Sequence, residues 1–147
     1  MPSLTSPHGA NNNADNSNNG SVNVSIVGLW QVAYYSGGIF FDASFDTWHA
    51  DGTENDNDMA PPAASAVCEG VWEMAGPRTA KLHHVGWAWD ITGSVLLGTF
   101  TLDEIDTLGN DGNTYTGTFT LQYYDPNGYP LGAPILGTIS ATRITVH

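Results

Sequence analysis

The sequence predicts an all-β protein that forms a single antiparallel up-and-down barrel of about eight strands. From residue 22 onward, runs of about ten residues that are rich in β-branched and aromatic side chains alternate with turn signals made of Gly, Pro, Asn and Asp. Helical periodicity is absent along the chain. The runs follow one another in meander order, which favours pairing between sequence neighbours. A two-sheet sandwich or a jelly roll is the alternative architecture.

The first two strands are expected at residues 26–36 and 39–49, which are separated by Gly37-Gly38. The second strand is followed by Asp51-Gly52, the dipeptide that best fits a two-residue type I′ hairpin turn. The first two strands are therefore expected to be antiparallel neighbours.

Later strands are separated by the turn signals at residues 76–77, 110–113 and 125–128. They are expected at residues 68–74, 79–90, 95–105, 115–124 and 134–146. One connection, residues 55–66, is much longer than the others and carries Pro61-Pro62 at its middle. Loops of that length are usually functional or disordered, so the segment is either a fixed lid over a barrel mouth or a plain solvated loop.

Residues 1–22 are rich in Asn, Ser and Gly and are expected to form a disordered tail, with the barrel domain at residues 23–147. Too few apolar side chains lie in the tail to offset the entropy lost when a backbone is ordered. The tail contains no apolar run of the length that a signal peptide needs. A cytoplasmic location is the default expectation.

The charge balance restricts the partners of the protein. Lys and Arg number 3 against 15 Asp and Glu, and the formal net charge is −12. Such a surface repels phosphates and anionic headgroups, so neither nucleic acid nor a membrane is expected as a partner. A small hydrophobic or aromatic molecule, neutral or cationic, is expected instead, and a homo-oligomer remains open. The single cysteine, Cys68, excludes an internal disulfide and is expected to be a small buried hydrophobe.

The hairpin at Asp51-Gly52 carries the first candidate for chemistry. A two-residue turn would place His49 opposite Glu54, and a carboxylate that orients a histidine is a common device for a general base. The apolar alternation of this strand comprises Phe41, Ala43, Phe45, Thr47 and His49. His49 is therefore expected to face the lumen, with Asp42 and Asp46 outside, unless the lumen is polar and the two faces are exchanged. An exposed ion pair at the hairpin end is the alternative.

A second histidine group lies in the strand at residues 79–90. Successive residues of a strand point to opposite faces, so only one of His83 and His84 can face inward. His84 shares a face with Leu82 and Ala88 and is the candidate general acid. A Zn, Cu or Fe site made of histidines and Glu54 is conceivable, but no recognised ligand spacing is present, so neither a metal nor a cofactor is expected.

Aromatic side chains are numerous for a chain of this size, with 5 Trp and 6 Tyr. They can line a cavity for a flat or aliphatic ligand, or they can pack the core. The candidate ligand-binding residues are Trp30, Tyr34, Phe41, Phe45, Cys68, Trp72 and Trp87.

Gly28-Leu-Trp30 near the start and Arg143 in the last strand resemble the signature of the calycin barrels, which include the lipocalins and the allene oxide cyclases. The resemblance implies that the Arg143 guanidinium packs over the Trp30 indole where the barrel closes. It also implies a cavity that can host cofactor-free isomerisation. A longer series of motifs resembles a group of small bacterial proteins, many of them exported, which brings no established activity: residues 27–30, 48–54, 61–62, 68–72, 82–87, 111–117 and 141–144.

The working hypothesis is a barrel that binds a small, largely apolar molecule and transforms it by acid-base chemistry without a cofactor, as an isomerase, cyclase or lyase. His49 would be the base, Glu54 would orient it, and His84 would be the acid. The competing hypotheses are a carrier or sensor without catalysis and, third, a His-ligated metal enzyme.

Overall fold

The computed structural model describes residues 24–147, which form one closed barrel of eight antiparallel strands in up-and-down order. The predicted fold class is confirmed. Each strand pairs with its sequence neighbours, and the last strand closes the barrel on the first. The strands are β1 Gly28–Ser36, β2 Ile39–Trp48, β3 Thr53–Asp58, β4 Val67–Met74, β5 Thr79–Trp89, β6 Leu96–Leu108, β7 Thr114–Tyr124 and β8 Pro130–Ile144.

The tail expected at residues 1–22 lies outside the described residues. Between residues 24 and 147 there is no helix with the length and apolar character needed to cross a membrane.

The segment expected to be a long loop begins as a strand. β3 spans Thr53–Asp58 and pairs with both β2 and β4, which leaves residues 59–66 as the connection. That connection contains one turn of 3-10 helix, Pro62–Ala64. β3 was missed because its side chains are polar on both faces, and the apolar alternation that identifies a half-buried strand is absent.

The turn between β2 and β3 is longer than expected. The amide of Gly52 donates to the carbonyl of His49 at 3.2 Å, the amide of His49 donates to the carbonyl of Thr53 at 2.9 Å, and Gly52 has a φ of +89°. These features match a three-residue hairpin loop in which a glycine takes the left-handed position. Trp48, and not His49, is therefore opposite Glu54.

The closed end of the barrel, defined by Trp30, Trp48, Leu108 and Tyr115, is filled by fully buried side chains. The Trp30 and Tyr115 rings meet edge to face with centroids 4.8 Å apart. The Cζ atom of Arg143 lies 4.2 Å from the centroid of the Trp30 ring, which confirms the stack implied by the resemblance. This end of the barrel is therefore a packed core, and a cavity can lie only towards the other end.

Candidate functional site

A cavity of about 550 Å³ occupies the half of the barrel opposite the closed end. We call it the lumen cavity, and its mouth lies where β2 begins and where β3 and β7 end. Its walls are mainly apolar and aromatic, with Phe41, Phe100, Leu102, Phe119, Leu121 and Tyr123 among the lining residues. The connection between β3 and β4 contributes Ala60, Ala64 and Ser65, so this connection packs at the mouth. The cavity has the size and lining of a site for a small organic molecule.

The interior of the barrel is polar at its centre. Five carboxylic side chains and one histidine are buried there: Asp46, Glu54, Asp56, Glu104, Asp106 and His84. They lie on β2, β3, β5 and β6, and on β2, β5 and β6 they share the inward face with apolar residues. The lumen is therefore acidic, and a polar lumen is the case in which the sequence predicts the opposite orientation of β2.

The prediction of which face of β2 points inward was wrong. Ser44, Asp46 and Trp48 are buried in the interior, whereas Phe45 is 49% exposed on the outside. His49 lies in the turn, and its Nε2 atom is 3.0 Å from Oδ1 of Asn55. The apolar alternation of β2 lies on its outer face because the lumen is acidic, whereas the extra residue in the turn changes the residue opposite Glu54 from His49 to Trp48. His49 is thus not a lumen base, and Phe45 is not a ligand-binding residue of the cavity.

Glu54 pairs with His84, not with His49. The Nε2 atom of His84 lies 2.5 Å from Oε2 of Glu54, and both side chains are 0% exposed. Gly70 lies between them in the sheet, and a Cβ atom built on it would come within 2.8 Å of Oε2 of Glu54 and 2.7 Å of Cδ2 of His84. The glycine leaves room for two strands separated by β4 to join their side chains across it.

Burial shifts the pKa values of both groups in this pair. It lowers the pKa of His84 to about 4 and raises the pKa of Glu54 to about 8. Burial therefore favours the neutral form of both groups, which are in direct contact. The other ring nitrogen of His84, Nδ1, lies 3.8 Å from Oε1 of Glu104.

The pair belongs to a wider polar network across the lumen. The hydroxyl of Tyr34 donates to Oε1 of Glu104 at 3.2 Å, and the hydroxyl of Ser44 donates to Asp46. Tyr115 places its hydroxyl 3.5 Å from Oδ2 of Asp46. Burial and, after it, the neighbouring carboxylates raise the pKa of Glu104 well above its usual value, and burial raises the pKa of Asp46 to about 7. The network consists of acids that burial keeps largely protonated.

Asp56 is the buried acid of this network that faces the lumen cavity. Its side chain is 2% exposed, it lines the cavity, and its Oδ1 atom has no hydrogen-bond partner. Burial, with Asp46 and Glu54 nearby, raises its pKa to about 10, so the carboxyl is protonated at neutral pH. The cavity floor therefore includes a neutral acid, one of whose enclosed oxygens has no hydrogen-bond partner among the described residues.

Asp58 and Asp42 lie above Asp56 at the mouth and also line the cavity. Asp58 is half-buried, and burial raises its pKa to about 7. One of its oxygens accepts a hydrogen bond of 2.5 Å from the amide of Ala60 in the connection to β4. The site thus offers two carboxyl groups on one face of β3 that differ in protonation at neutral pH.

The candidate ligand-binding residues divide between the two ends. Tyr34, Phe41 and Cys68 line the lumen cavity, and Trp87 contributes to its rim although it is 60% exposed. Burial raises the pKa of the Cys68 thiol, which makes Cys68 a wall residue and not a nucleophile.

The other two tryptophans are placed at the closed end. Trp30 is part of the packed core, and the Trp72 indole donates to the carbonyls of His49 at 3.0 Å and Thr53 at 3.1 Å. Neither lines the lumen cavity, so both hold the closed end together and do not contact a ligand there.

Sequence reasoning missed Asp42, Asp56 and Asp58 as site residues, although a signal was present. Carboxylates recur at alternate positions in three strands: Asp42 and Asp46, Glu54 to Asp58, and Glu104 and Asp106. Alternation places each set on one face of its strand. Acids on the same face of neighbouring strands would have indicated an acidic lumen.

Within residues 24–147, no group of three or more His, Cys, Asp or Glu side chains has an arrangement that could hold a metal ion. In comparisons with known proteins, no protein-family model, curated protein or solved structure matches the chain. The arguments on function therefore depend on the site itself.

Proposed function

We propose that the protein binds a small, largely apolar molecule in the lumen cavity and transforms it by acid-base chemistry without a cofactor, as an isomerase, cyclase or lyase. The observation that carries this proposal is Asp56, a buried and protonated carboxyl with an unpartnered oxygen at the floor of a mainly apolar cavity. A general acid must hold its proton at working pH and must lie at the ligand site, and the raised pKa of Asp56 and its place in the cavity lining support this role.

Asp58 is the partner in this proposal. Residues two apart on a strand share a face and lie about 7 Å apart, so Asp56 and Asp58 can contact two atoms of one bound molecule. Because the pKa of Asp58 is about 7 and that of Asp56 is about 10, one group can accept a proton while the other donates one. Glu54 and His84 do not line the cavity, so neither contacts the ligand in this proposal.

A carrier or sensor without catalysis is the second candidate, and the enclosure of His84 and Glu54 favours it. Both side chains are fully buried outside the cavity lining, so the histidine pair cannot touch a bound molecule.

A calycin-like assignment is supported by the closed barrel and the Arg143–Trp30 stack. The relation to the group of small bacterial proteins depends on the sequence motifs alone.

Binding in the lumen is tested by filling it. Ala88 lines the cavity, so Ala88→Phe should weaken binding of the uncharged dye phenylnaphthylamine at least about tenfold, because the added ring takes the space of the ligand. Ala33→Phe is the matched control, because Ala33 is on the outer face of β1 and outside the cavity lining. Dye fluorescence measures both affinities. Equal affinity in wild type and Ala88→Phe would contradict lumen binding.

Catalysis is tested with a molecule that copurifies with the protein and is identified by mass spectrometry of a solvent extract. Incubated with the protein in D₂O, it should gain deuterium at carbon or change its structure. Asp56→Asn should slow this at least about 100-fold, because the amide cannot supply the proton. Asp103→Asn is the control, since Asp103 is exposed on the outside of β6 and pairs with His83. A molecule recovered unchanged and without deuterium would contradict catalysis and would favour the carrier function.

A further inference from the structure

The charges of the barrel are separated along its axis. The three Lys and Arg residues of the chain are Arg78, Lys81 and Arg143, all near the closed end, where β5 begins and β8 ends. The charged side chains that line the lumen cavity are all carboxylates, with Asp42 and Asp58 at the mouth and Asp56 at the floor. A ligand that enters by this mouth therefore meets an acidic rim with no compensating cation.

Asp56 is an independent sign that the cavity expects a partner. A buried polar atom without a hydrogen bond destabilises a protein, and such atoms are rare in folded proteins. Oδ1 of Asp56 is such an atom, it is enclosed, and its side chain lines the cavity. A hydrogen-bond donor or a cation on a bound ligand would satisfy this side chain.

Aromatic rings surround the same space. Phe41 and Phe119 stack with ring centroids 5.9 Å apart, and the centroids of Phe100 and Tyr123 are also 5.9 Å apart. All four residues line the cavity. The face of an aromatic ring attracts a cation, and aromatic walls combined with carboxylates are how proteins recognise organic ammonium ions.

We infer that the lumen cavity selects an organic ammonium ion, a molecule with an aromatic or aliphatic body whose cationic nitrogen pairs with Asp56 and Asp58 while the body packs against Phe100 and Phe119. The inference deepens the proposed function and rests on it, because it needs the same cavity.

Binding of an ammonium ion should release a proton. In the free protein, the groups that face Asp56 are acids or neutral: Tyr34 on β1, Asp42 and Asp46 on β2, Glu54 and Asp58 on β3, and Cys68 on β4. Their presence and burial keep Asp56 protonated at pH 7. A bound cation favours the carboxylate, so Asp56 passes its proton to solvent when the ammonium ion enters.

The test compares three ligands of similar shape, phenylbutylamine, phenylbutanol and phenylbutyrate, by calorimetric titration at pH 7 in two buffers of different ionisation enthalpy. The amine should bind at least about tenfold more tightly than the alcohol, and phenylbutyrate should bind most weakly. About one proton should be released per amine bound, and none per alcohol.

Three variants test which carboxylates cause the amine preference and the proton release. Asp56→Asn should lose the amine preference and the proton release but keep the affinity for the alcohol, which also shows that the variant is folded. Asp58→Asn should reduce the preference in the same direction. Asp103→Asn removes one carboxylate from the outer surface, where Asp103 is exposed, and should leave both values unchanged.

An amine that binds no more tightly than the alcohol would overturn the inference. The inference would also be overturned if Asp103→Asn reduced the amine preference as much as Asp56→Asn does, because the amine would then be attracted to the surface alone. A different result would contradict the proposed function, namely that neither the uncharged dye nor the alcohol binds in the lumen. Tight binding of the alcohol with no preference for the amine would therefore overturn the inference of a cationic ligand but would support binding in the lumen cavity.

Discussion

The free energy of unfolding should fall as pH rises from about 5 to about 8, by at least about 1.4 kcal/mol per pH unit. The cause is the set of buried acids in the lumen. Their pKa values are about 7 for Asp46 and Asp106, about 8 for Glu54 and about 10 for Asp56. In an unfolded chain such groups ionise near pH 4.

The sign follows from proton binding. Between about pH 4 and the raised pKa, the folded chain keeps protons that the unfolded chain has lost, so each rise in pH favours unfolding. The stabilising effect of each acid is complete below the unfolded pKa and is lost as pH rises through the folded pKa. His84 acts in the opposite direction, because its lowered pKa of about 4 makes the folded chain less stable as pH falls below its usual value of 6.5. One histidine against several acids does not reverse the slope, so stability continues to rise as pH falls to about 4.

Urea unfolding at about one pH unit intervals measures this slope. Asp56→Asn provides the matched comparison, because it removes one of the acids without changing the size of the side chain. Its slope should be smaller by about 1.4 kcal/mol per pH unit across the same range. Stability that is constant or rises between pH 5 and 8 would contradict a lumen of protonated acids.

Arg143→Ala should lower the free energy of unfolding by about 3 kcal/mol. The guanidinium stacks on Trp30 and donates to three backbone carbonyls that other segments supply: Nε to Gly112 at 2.8 Å, Nη1 to Val27 at 2.8 Å, and Nη2 to Ser25. The side chain is half-buried, so water replaces part of what is lost. Arg143 thus fastens the segment before β1 and the β6–β7 turn to the closed end.

Chemical unfolding of three variants measures this contribution. Arg143→Lys should recover only part of the loss, because an ammonium group cannot donate in a fork while it stacks on an indole. Arg78→Ala is the control, since the Arg78 side chain is exposed and its hydrogen bond goes to Asn110 in a turn. A loss below about 0.5 kcal/mol for Arg143→Ala would show that the stack does not hold the closed end.

Much of the fold could be predicted because turn chemistry and alternation are local. The glycine and proline signals locate the ends of most strands to within a few residues, and the Gly28-Leu-Trp30 and Arg143 signature predicts where the barrel closes. β3 is the exception. Its side chains are polar on both faces, so its pairing depends on neighbours that lie far along the chain.

The site could be predicted only in part. Glu54 and His84 were both selected as candidates, but their direct contact crosses β4 and depends on the absence of a side chain at Gly70. Such a contact follows from closure of the barrel and has no local signal. The orientation of β2 failed for another reason, since its acids face the polar lumen and alternation alone does not show which face of a strand is inside. The residue opposite Glu54 was wrong because the turn has one additional residue, and the length of a turn is a weak local signal.

The central claim, that the lumen is a binding site with Asp56 at its floor, is tested most directly by a crystal structure of the protein with bound phenylbutylamine. We expect the phenyl ring between Phe100 and Phe119, and the nitrogen within hydrogen-bond distance of Oδ1 of Asp56. A ligand found only on the outer face of the barrel, with the lumen unchanged, would contradict the claim.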